Sequence, residues 1–241
     1  DASFATILRQ GEARAGSAAD YTVKVDVEGL EPGQSYVYRF IAGGQASPVG
    51  RTRTLPAGNV QQYTLAVFSC ANIGFGYFNA YRHAAGRDDI DLVVHLGDYI
   101  YEYGLGRYPA ARSRVPGRDM QPASELVALQ DYRQRYASYR ADPDLQQLHA
   151  RHPMVAIWDD HEAADNAWLE GATNHATGQG DWMLRRKAAL QAYYEWLPIR
   201  GDPAAVMGYR SFPIGTLADL IILDTRLRAA AGRSACLPRC V

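Results

Sequence analysis

Asp91-Leu92-Val93-Val94-His95-Leu96-Gly97-Asp98-Tyr99-Ile100-Tyr101-Glu102 is the stretch whose reading decides the fold. Its first half is a short, almost continuous apolar run, the pattern of a strand buried on both faces. Its second half breaks at Gly97 and delivers two carboxylates and two phenols. The same design recurs downstream, where Met154-Val155-Ala156-Ile157 leads into Trp158-Asp159-Asp160-His161-Glu162. Layered α/β folds collect their chemistry beyond the carboxyl ends of strands. Two acid-rich exits of this kind point to a hydrolytic metalloenzyme.

Outward from these exits the pattern alternates strand and helix. Tyr63 to Ser69 reads as an apolar strand ending at Cys70. Tyr77 to Ala85 has helical spacing and meets Gly86, a C-cap candidate. Ser124 to Ala141 reads as a helix with Ser124 as N-cap and Leu126, Leu129, Tyr132, Tyr136 and Tyr139 on one face. Asp142-Pro143 opens another helix, a capping Asp followed by Pro at the first helical position. Asp181 caps a helix through about Leu197. Leu217 to Leu223 is a final apolar strand, closed by Asp224-Thr225-Arg226. Four apolar strands alternating with helices predict an α/β layered core. The Gly-, Pro- and Arg-rich stretch from Gly104 to Pro122 is long for a compact connection, a length that often marks a functional loop.

The first 57 residues read differently. Tyr21, Val23, Val25 and Val27 alternate with polar residues, as in a half-buried strand. Gly29 to Gly33 makes a turn, and Tyr36, Tyr38 and Phe40 alternate after it. A Pro-Gly turn running into an aromatic strand resembles the tyrosine corner of β-sandwiches. Gly50 to Thr54 reads as a last strand. At 1–57 the segment is short for a whole sandwich of about 100 residues, so it is expected to be part of an all-β sandwich domain, with 58–241 forming the catalytic domain. Leu55 to Val60 serves as the linker.

The 241 residues carry a net charge of −1, which lacks the basic excess of a nucleic-acid-binding surface. No apolar run reaches the ~18 residues of a membrane span. The start shows no signal-peptide pattern, and the missing initiator Met suggests a trimmed N-terminus. Three cysteines make no disulfide framework, although Cys236 and Cys240 are close enough for a local bridge.

Asp98 and Tyr101 lie three apart just past a strand, so a half-turn would aim both oxygens at one spot; the alternative is a plain turn with Tyr101 packed. Asp159 to Glu162 would repel one another if buried without cations or partners; a solvated loop is the alternative. Because neighbours alternate faces, all four cannot serve one site; Asp160 and His161 are taken for it, with Asp159 or Glu162 in a supporting role. Asp165 and Asn166 offer further oxygens. Cys70 reaches the same edge if the strands are parallel; otherwise it is a small buried hydrophobe. A thiolate there would bias the site toward a transition metal. Arg133, Arg135 and Arg140 precede the second exit, and Arg140 is the choice for a phosphate clamp. His95, inside a strand, reads as a satisfied core histidine.

Five stretches in this order resemble the PhoD-like alkaline phosphatase/phosphodiesterase family of the metallophosphoesterase superfamily. They are residues 68–72, 91–103, 132–146, 157–162 and 223–226, and the β segment in front resembles the family's N-terminal domain. The resemblance implies an α/β/β/α phosphoesterase core holding iron(III) (Fe3+) and calcium (Ca2+). It implies Cys70, Asp98 and Tyr101 as iron ligands, with Asp98 bridging to calcium, and Asp160 and Asn166 as calcium-side ligands. His161 would orient the phosphate or protonate the leaving group, and Arg140 would stabilise spreading charge. It also implies an extracytoplasmic location, periplasmic or secreted. A later Gly-Asp-x-His type motif supplies further ligands in the family, and none follows residue 226. The tail 229–241 departs from the family pattern. The layered core is therefore expected to be incomplete, with an open sheet edge inviting self-association.

The expected activity is hydrolysis of small-molecule phosphate mono- or diesters, the choice depending on loop 104–122. One alternative is an inactive scaffold or binding remnant of the same family. Another is a carbohydrate-binding β module joined to an unrelated hydrolase, for which the N-terminal segment shows no aromatic platform.

Overall fold

The computed structural model describes residues 3–201 and 209–227. Near the N-terminus, β1 (Ser35–Tyr38) pairs antiparallel with β4 (Gly50–Arg53), and β2 (Ile41–Ala42) pairs with β3 (Gln45–Ala46). The corner before β1 is held as expected. The Tyr36 hydroxyl accepts the Glu31 N–H at 2.9 Å and donates to the Glu31 carbonyl at 3.3 Å.

The stretch from Thr22 to Glu28 corrects the sequence reading. It joins no β-ladder, and Val23, Val25 and Val27 are exposed. The polar residues around them make the contacts instead. Asp20 accepts from the Trp196 indole at 3.1 Å, Lys24 donates to the carbonyls of Tyr194 and Ile199, and Asp26 pairs with Arg200. The alternation was real, but the polar face docks on the C-terminal end of a helix, where unpaired carbonyls attract cations.

The central sheet is parallel, in the order β5 (Leu65–Phe68), β6 (Leu92–His95), β7 (Met154–Ala156). On one face lie α1 (Asn79–Ala85), α2 (Leu129–Arg140), α3 (Pro143–Arg151) and α4 (Trp182–Trp196). Val93 and Ala156 face this helical layer, together with Tyr132, Tyr136 and Tyr139 of α2, all of them buried. The opposite face of the sheet, Leu92, Val94 and Val155, packs on Ile222, Phe212 and Leu220. Each such aliphatic side chain removed from water contributes roughly 1.5–3 kcal/mol.

Ile222 and its neighbours belong to an antiparallel hairpin of β8 (Tyr209–Ile214) and β9 (Ala218–Leu223). The last apolar strand therefore does not join the parallel sheet. It pairs with β8 and forms a second β layer. The architecture is helices, parallel sheet, hairpin: three layers of an α/β/β/α stack. β5 lies at the sheet edge, and its Leu65 and Val67, in register with Leu92 and Val94, are exposed.

Helix starts divide by cause. Asp142 caps α3 through Asp144 and Leu145 N–H at 2.9 and 3.0 Å, and Asp181 caps α4 through Met183 N–H at 2.7 Å, as read from sequence. By contrast, α2 begins at Leu129 rather than after Ser124. The chain around Ala123 to Leu126 pairs with residues 102–105 (Leu126 N–H to Glu102 O, 3.0 Å; Leu105 N–H to Ala123 O, 2.8 Å). Those bonds compete with a first helical turn and prevail. Cys236, Cys240 and the tail 229–241 lie outside the described residues.

Candidate metal centre

The parallel sheet brings three strand exits together. Beyond β5 the ladder continues into the first exit: Leu96 N–H bonds Phe68 O at 2.8 Å, Cys70 N–H bonds Gly97 O at 3.2 Å, and Ala71 N–H bonds Asp98 O at 2.8 Å. Gly97 sits at φ +105°, and a Cβ there would lie 2.3 Å from the Asp159 nitrogen and 2.8 Å from the Trp158 carbonyl carbon. Only glycine lets the exits of β6 and β7 touch through their backbones. Cys70, Asp98 and Asn166 all hold left-handed φ values of 58°, 55° and 49°. For residues with a side chain this conformation costs of order 1 kcal/mol each. Its recurrence at three of the five residues assigned as ligands is the mark of a site whose geometry the surroundings enforce.

Asp98 is the hub. Its Oδ2 accepts from the Tyr101 hydroxyl at 3.0 Å and from the Cys70 thiol at 3.4 Å. One ligating atom from each of Asp98, Asp160 and His161 lies within 4.8 Å of the others. Cys70 is exposed rather than a buried apolar residue, and its thiol meets the cluster at Asp98. Asn166 reaches the group through its backbone, its N–H donating to Asp160 Oδ2, while its amide donates to Asp165 Oδ1 at 3.2 Å.

The chain turns at 160–163, which lets adjacent Asp160 and His161 share the cluster while Asp159 and Glu162 leave it. Glu162 turns inward, accepting Tyr99 N–H at 2.6 Å on one oxygen and Asp159 N–H at 2.9 Å on the other. Asp159 turns outward to the Arg226 guanidinium, whose Nη2 also lies 3.3 Å from Asp160 Oδ1. Arg140 does not join the group. It donates to the Tyr99 hydroxyl at 3.4 Å, beside His149. Nor do its helix neighbours: Arg133 forks onto Glu195, and the fully buried Arg135 donates only to the carbonyls of Tyr101, Tyr103, Gln121, Pro122 and Ser124. His95 is half satisfied. Its Nε2 meets the Tyr81 hydroxyl at 2.9 Å, its Nδ1 has no partner among the described residues, and burial holds its pKa down to about 4.

Three contributors escaped the sequence reading. Glu102, fully buried, takes His161 Nδ1 at 2.8 Å on one oxygen and Asp165 N–H and Asn174 Nδ2 on the other. Arg226 is aimed by Asp224, whose Oδ1 accepts the N–H groups of Arg226 and Leu227. The Glu102 signal was its place directly after Tyr101; the Arg226 signal was its position closing Leu-Asp-Thr-Arg; for Asn174 there was none.

The electrostatics follow from this crowding. Burial first, then the charges of Asp98 and Asp159, push Asp160 up to about 6. Asp98 is raised by burial, with Asp159 adding to it, and Glu162 is raised to about 8 by burial and then by Asp98. Burial alone would lower the His161 imidazole, but the Glu102 hydrogen bond and charge, with Asp160 and Asp98 behind it, outweigh burial and raise it to about 9. Acids that are buried together resist ionising unless a cation shares the space. Asp98 Oδ1 is buried without a hydrogen-bond partner among the described residues, which leaves a lone pair free for a ligand role. Sulfur and phenol on Asp98, with the carboxylate of Asp160 and the imidazole of His161 beside it, fit a metal centre.

A family model described as PhoD-like phosphatase matches residues 65–234, and one described as PhoD-like phosphatase, N-terminal domain, matches residues 1–56. The chain belongs to the PhoD-like phosphatase family. The first match extends past residue 229, so the tail is not wholly outside the family pattern. The chain is 42% identical over 232 residues to alkaline phosphatase D of Bacillus subtilis (strain 168), covering 94% of this chain and 39% of that protein. It is also similar to a solved structure titled "Structure of PhoD", with a TM-score of 0.87 at 42% identity, covering 95% of this chain and 44% of that one. The chain thus spans about two-fifths of the length of this curated relative. The three layers described above are an incomplete metallophosphoesterase-like core.

Proposed function

We propose that this site hydrolyses phosphate mono- or diesters of small molecules with the help of bound iron(III) and calcium. The observation that carries the reading is the convergence of Asp98, Asp160 and His161, one ligating atom of each within 4.8 Å of the others, at an aspartate whose Oδ1 is buried with no hydrogen-bond partner among the described residues. Cys70, Asp98 and Tyr101 would hold the iron; Asp98, Asp160 and Asn166 would hold calcium. When bound, the cations neutralise phosphoryl oxygens and acidify a water near neutral pH. The protein's own groups do the rest. Glu102 occupies Nδ1 of His161, which leaves Nε2, 3.9 Å from Asp160 Oδ2, to face the substrate. A ring kept protonated there orients a phosphate oxygen or delivers a proton to the leaving oxygen. Arg226, with Nη2 3.3 Å from Asp160 Oδ1, would stabilise charge spreading over the phosphoryl group in place of Arg140.

Asp98→Asn tests the reading. It should abolish both metal uptake and release of p-nitrophenol from bis(p-nitrophenyl) phosphate. Undiminished metal content with undiminished turnover would reject it. The inactive-remnant alternative has no observation of this kind in its favour.

The division into a sandwich-like 1–57 and a catalytic 58–241 belongs to the same proposal, supported by the separate family matches. So does an extracytoplasmic location, supported by the family. Self-association is proposed at the β5 edge, where Leu65 and Val67 are exposed; sedimentation velocity of the chain at rising concentration reads it, and a strictly monomeric chain would exclude it.

A further inference from the structure

A chain of aromatic rings leads from His161 out to solvent. The His161 ring lies 4.3 Å from the Tyr101 ring centroid and 5.5 Å from that of Tyr103. Tyr108 sits at 5.8 Å from Tyr101 and 5.4 Å from Tyr103, and Phe75 meets Tyr108 edge-on at 5.0 Å. Tyr108 and Phe75 are 44% and 47% exposed, whereas Tyr101 is buried. The rings thus pass from the floor of the site to an open rim.

The rim is built, not frayed. Asn72 Oδ1 accepts Gly74 N–H at 3.0 Å and so starts the short 3-10 turn Ile73–Phe75 that presents Phe75. The same Asn72 donates from Nδ2 to the Tyr108 carbonyl at 3.3 Å. Pro109 presses on Gly74 so closely that a Cβ there would lie 2.7 Å from its Cδ. One asparagine therefore fixes both exposed rings, two residues after Cys70. Large apolar groups held open in this way carry a solvation cost that an occupant relieves.

We infer that Tyr103, Tyr108 and Phe75 form a subsite for a planar aromatic group on the leaving side of the phosphate ester. This rests on the phosphoesterase reading and names its substrate class. The His161 ring lies against Tyr101 and is flanked by Tyr103, so a substituent that leaves the phosphate past this imidazole runs onto Tyr103, Tyr108 and Phe75. An aryl group there can stack or meet ring edges, as the protein rings already do with one another. Neither Tyr108 nor Phe75 offers a charge, so the recognition is by ring shape and π-face rather than by ionic contact.

The test compares aryl with alkyl ligands on the chain loaded with iron(III) and calcium. Phenylphosphonate and methylphosphonate are titrated calorimetrically, since neither turns over. The phenyl ligand should bind roughly 3- to 10-fold tighter, the size of one aromatic contact. Tyr108→Leu and Phe75→Leu, which keep apolar bulk but remove a ring, should each shrink that preference, while Tyr108→Phe should keep it. The kcat/KM ratio for phenyl phosphate over methyl phosphate should move in parallel. Equal binding of the two phosphonates, or a preference untouched by both Leu variants, would overturn the subsite while leaving the phosphoesterase reading standing. Binding of neither ligand would overturn both.

Discussion

Glu102 and His161 are joined by a 2.8 Å hydrogen bond from Nδ1 to a fully buried carboxylate, across 59 positions of sequence. The bond fixes which imidazole nitrogen faces the cluster and keeps the ring charged well above neutrality. In the cation-free chain the His161 pKa of about 9 lies above its ordinary 6.5. The protonated ring therefore contributes fully below pH ~6.5 and its contribution is lost as pH rises through about 9, a linkage on the order of 3 kcal/mol. Glu102→Gln keeps the shape but removes the charge. It should bring the His161 titration down by at least a unit, read by NMR of the ring protons, and flatten the alkaline loss of stability. A titration that stays near 9 would show that Asp160 and Asp98, not Glu102, hold the proton.

Glu162 binds the two ligand-bearing exits to each other, because one carboxylate serves the N–H groups of both Tyr99 and Asp159. Glutamine puts an NH2 group where one of these oxygens stands, so Glu162→Gln should leave the Tyr99 or the Asp159 N–H facing a donor. The expected cost is roughly 1–3 kcal/mol, together with faster amide exchange at Tyr99 or Asp159 and weaker cation uptake. Exchange unchanged at both amides would remove the clamp role.

Gly97→Ala should be more severe than its single methyl suggests. The new carbon would meet the backbone nitrogen of Asp159 at 2.3 Å, and φ +105° is closed to a residue with a Cβ. Backbone cannot swing aside as a side chain can, so β6 and β7 must part where they deliver Asp98 and Asp160. A loss of about 3 kcal/mol or more is expected, about 6–12 °C in Tm for a chain of this size. A near-normal Tm would mean that the exits are not in contact.

What the sequence revealed and what it hid differ in range. The exits at Gly97-Asp98 and Trp158-Asp159 were legible because a buried strand and the turn after it are written in adjacent residues. So were the caps Asp142 and Asp181, whose partners lie two or three residues away. The start of α2 was not, because the bonds that displace it come from residues 102–105, some twenty positions upstream. The valine alternation at 23–27 gave the period but not the face, since the docking carbonyls are those of Tyr194 in α4 and Ile199 just after it. In the same way, β9 read correctly as a strand, but its partner β8 was invisible to local pattern. Arg226 and Asp159 are 67 positions apart, and only the fold shows that they meet.

Arg118 and Asp142 decide whether the long 104–122 segment is a lid or a wall. The Arg118 guanidinium, buried, donates to Asp142 Oδ2 at 2.6 Å and to Gly76 O at 2.8 Å, and lies over the rings of Tyr77 and Phe78. Asp142 meanwhile caps α3 with its other oxygen. Removing the arginine would leave a buried carboxylate uncompensated, which costs more than the pair is worth. Arg118→Met should therefore lose roughly 3 kcal/mol, and trypsin should cut the segment at Arg107, Arg112 or Arg114 much faster than in the parent chain. Arg118→Met combined with Asp142→Asn, which keeps the capping oxygen but removes the stranded charge, should recover part of the stability while the segment stays protease-sensitive. If the double variant is no more stable than Arg118→Met, the charge at Asp142 is not what the arginine compensates, and the ring contacts of Arg118 hold the segment instead.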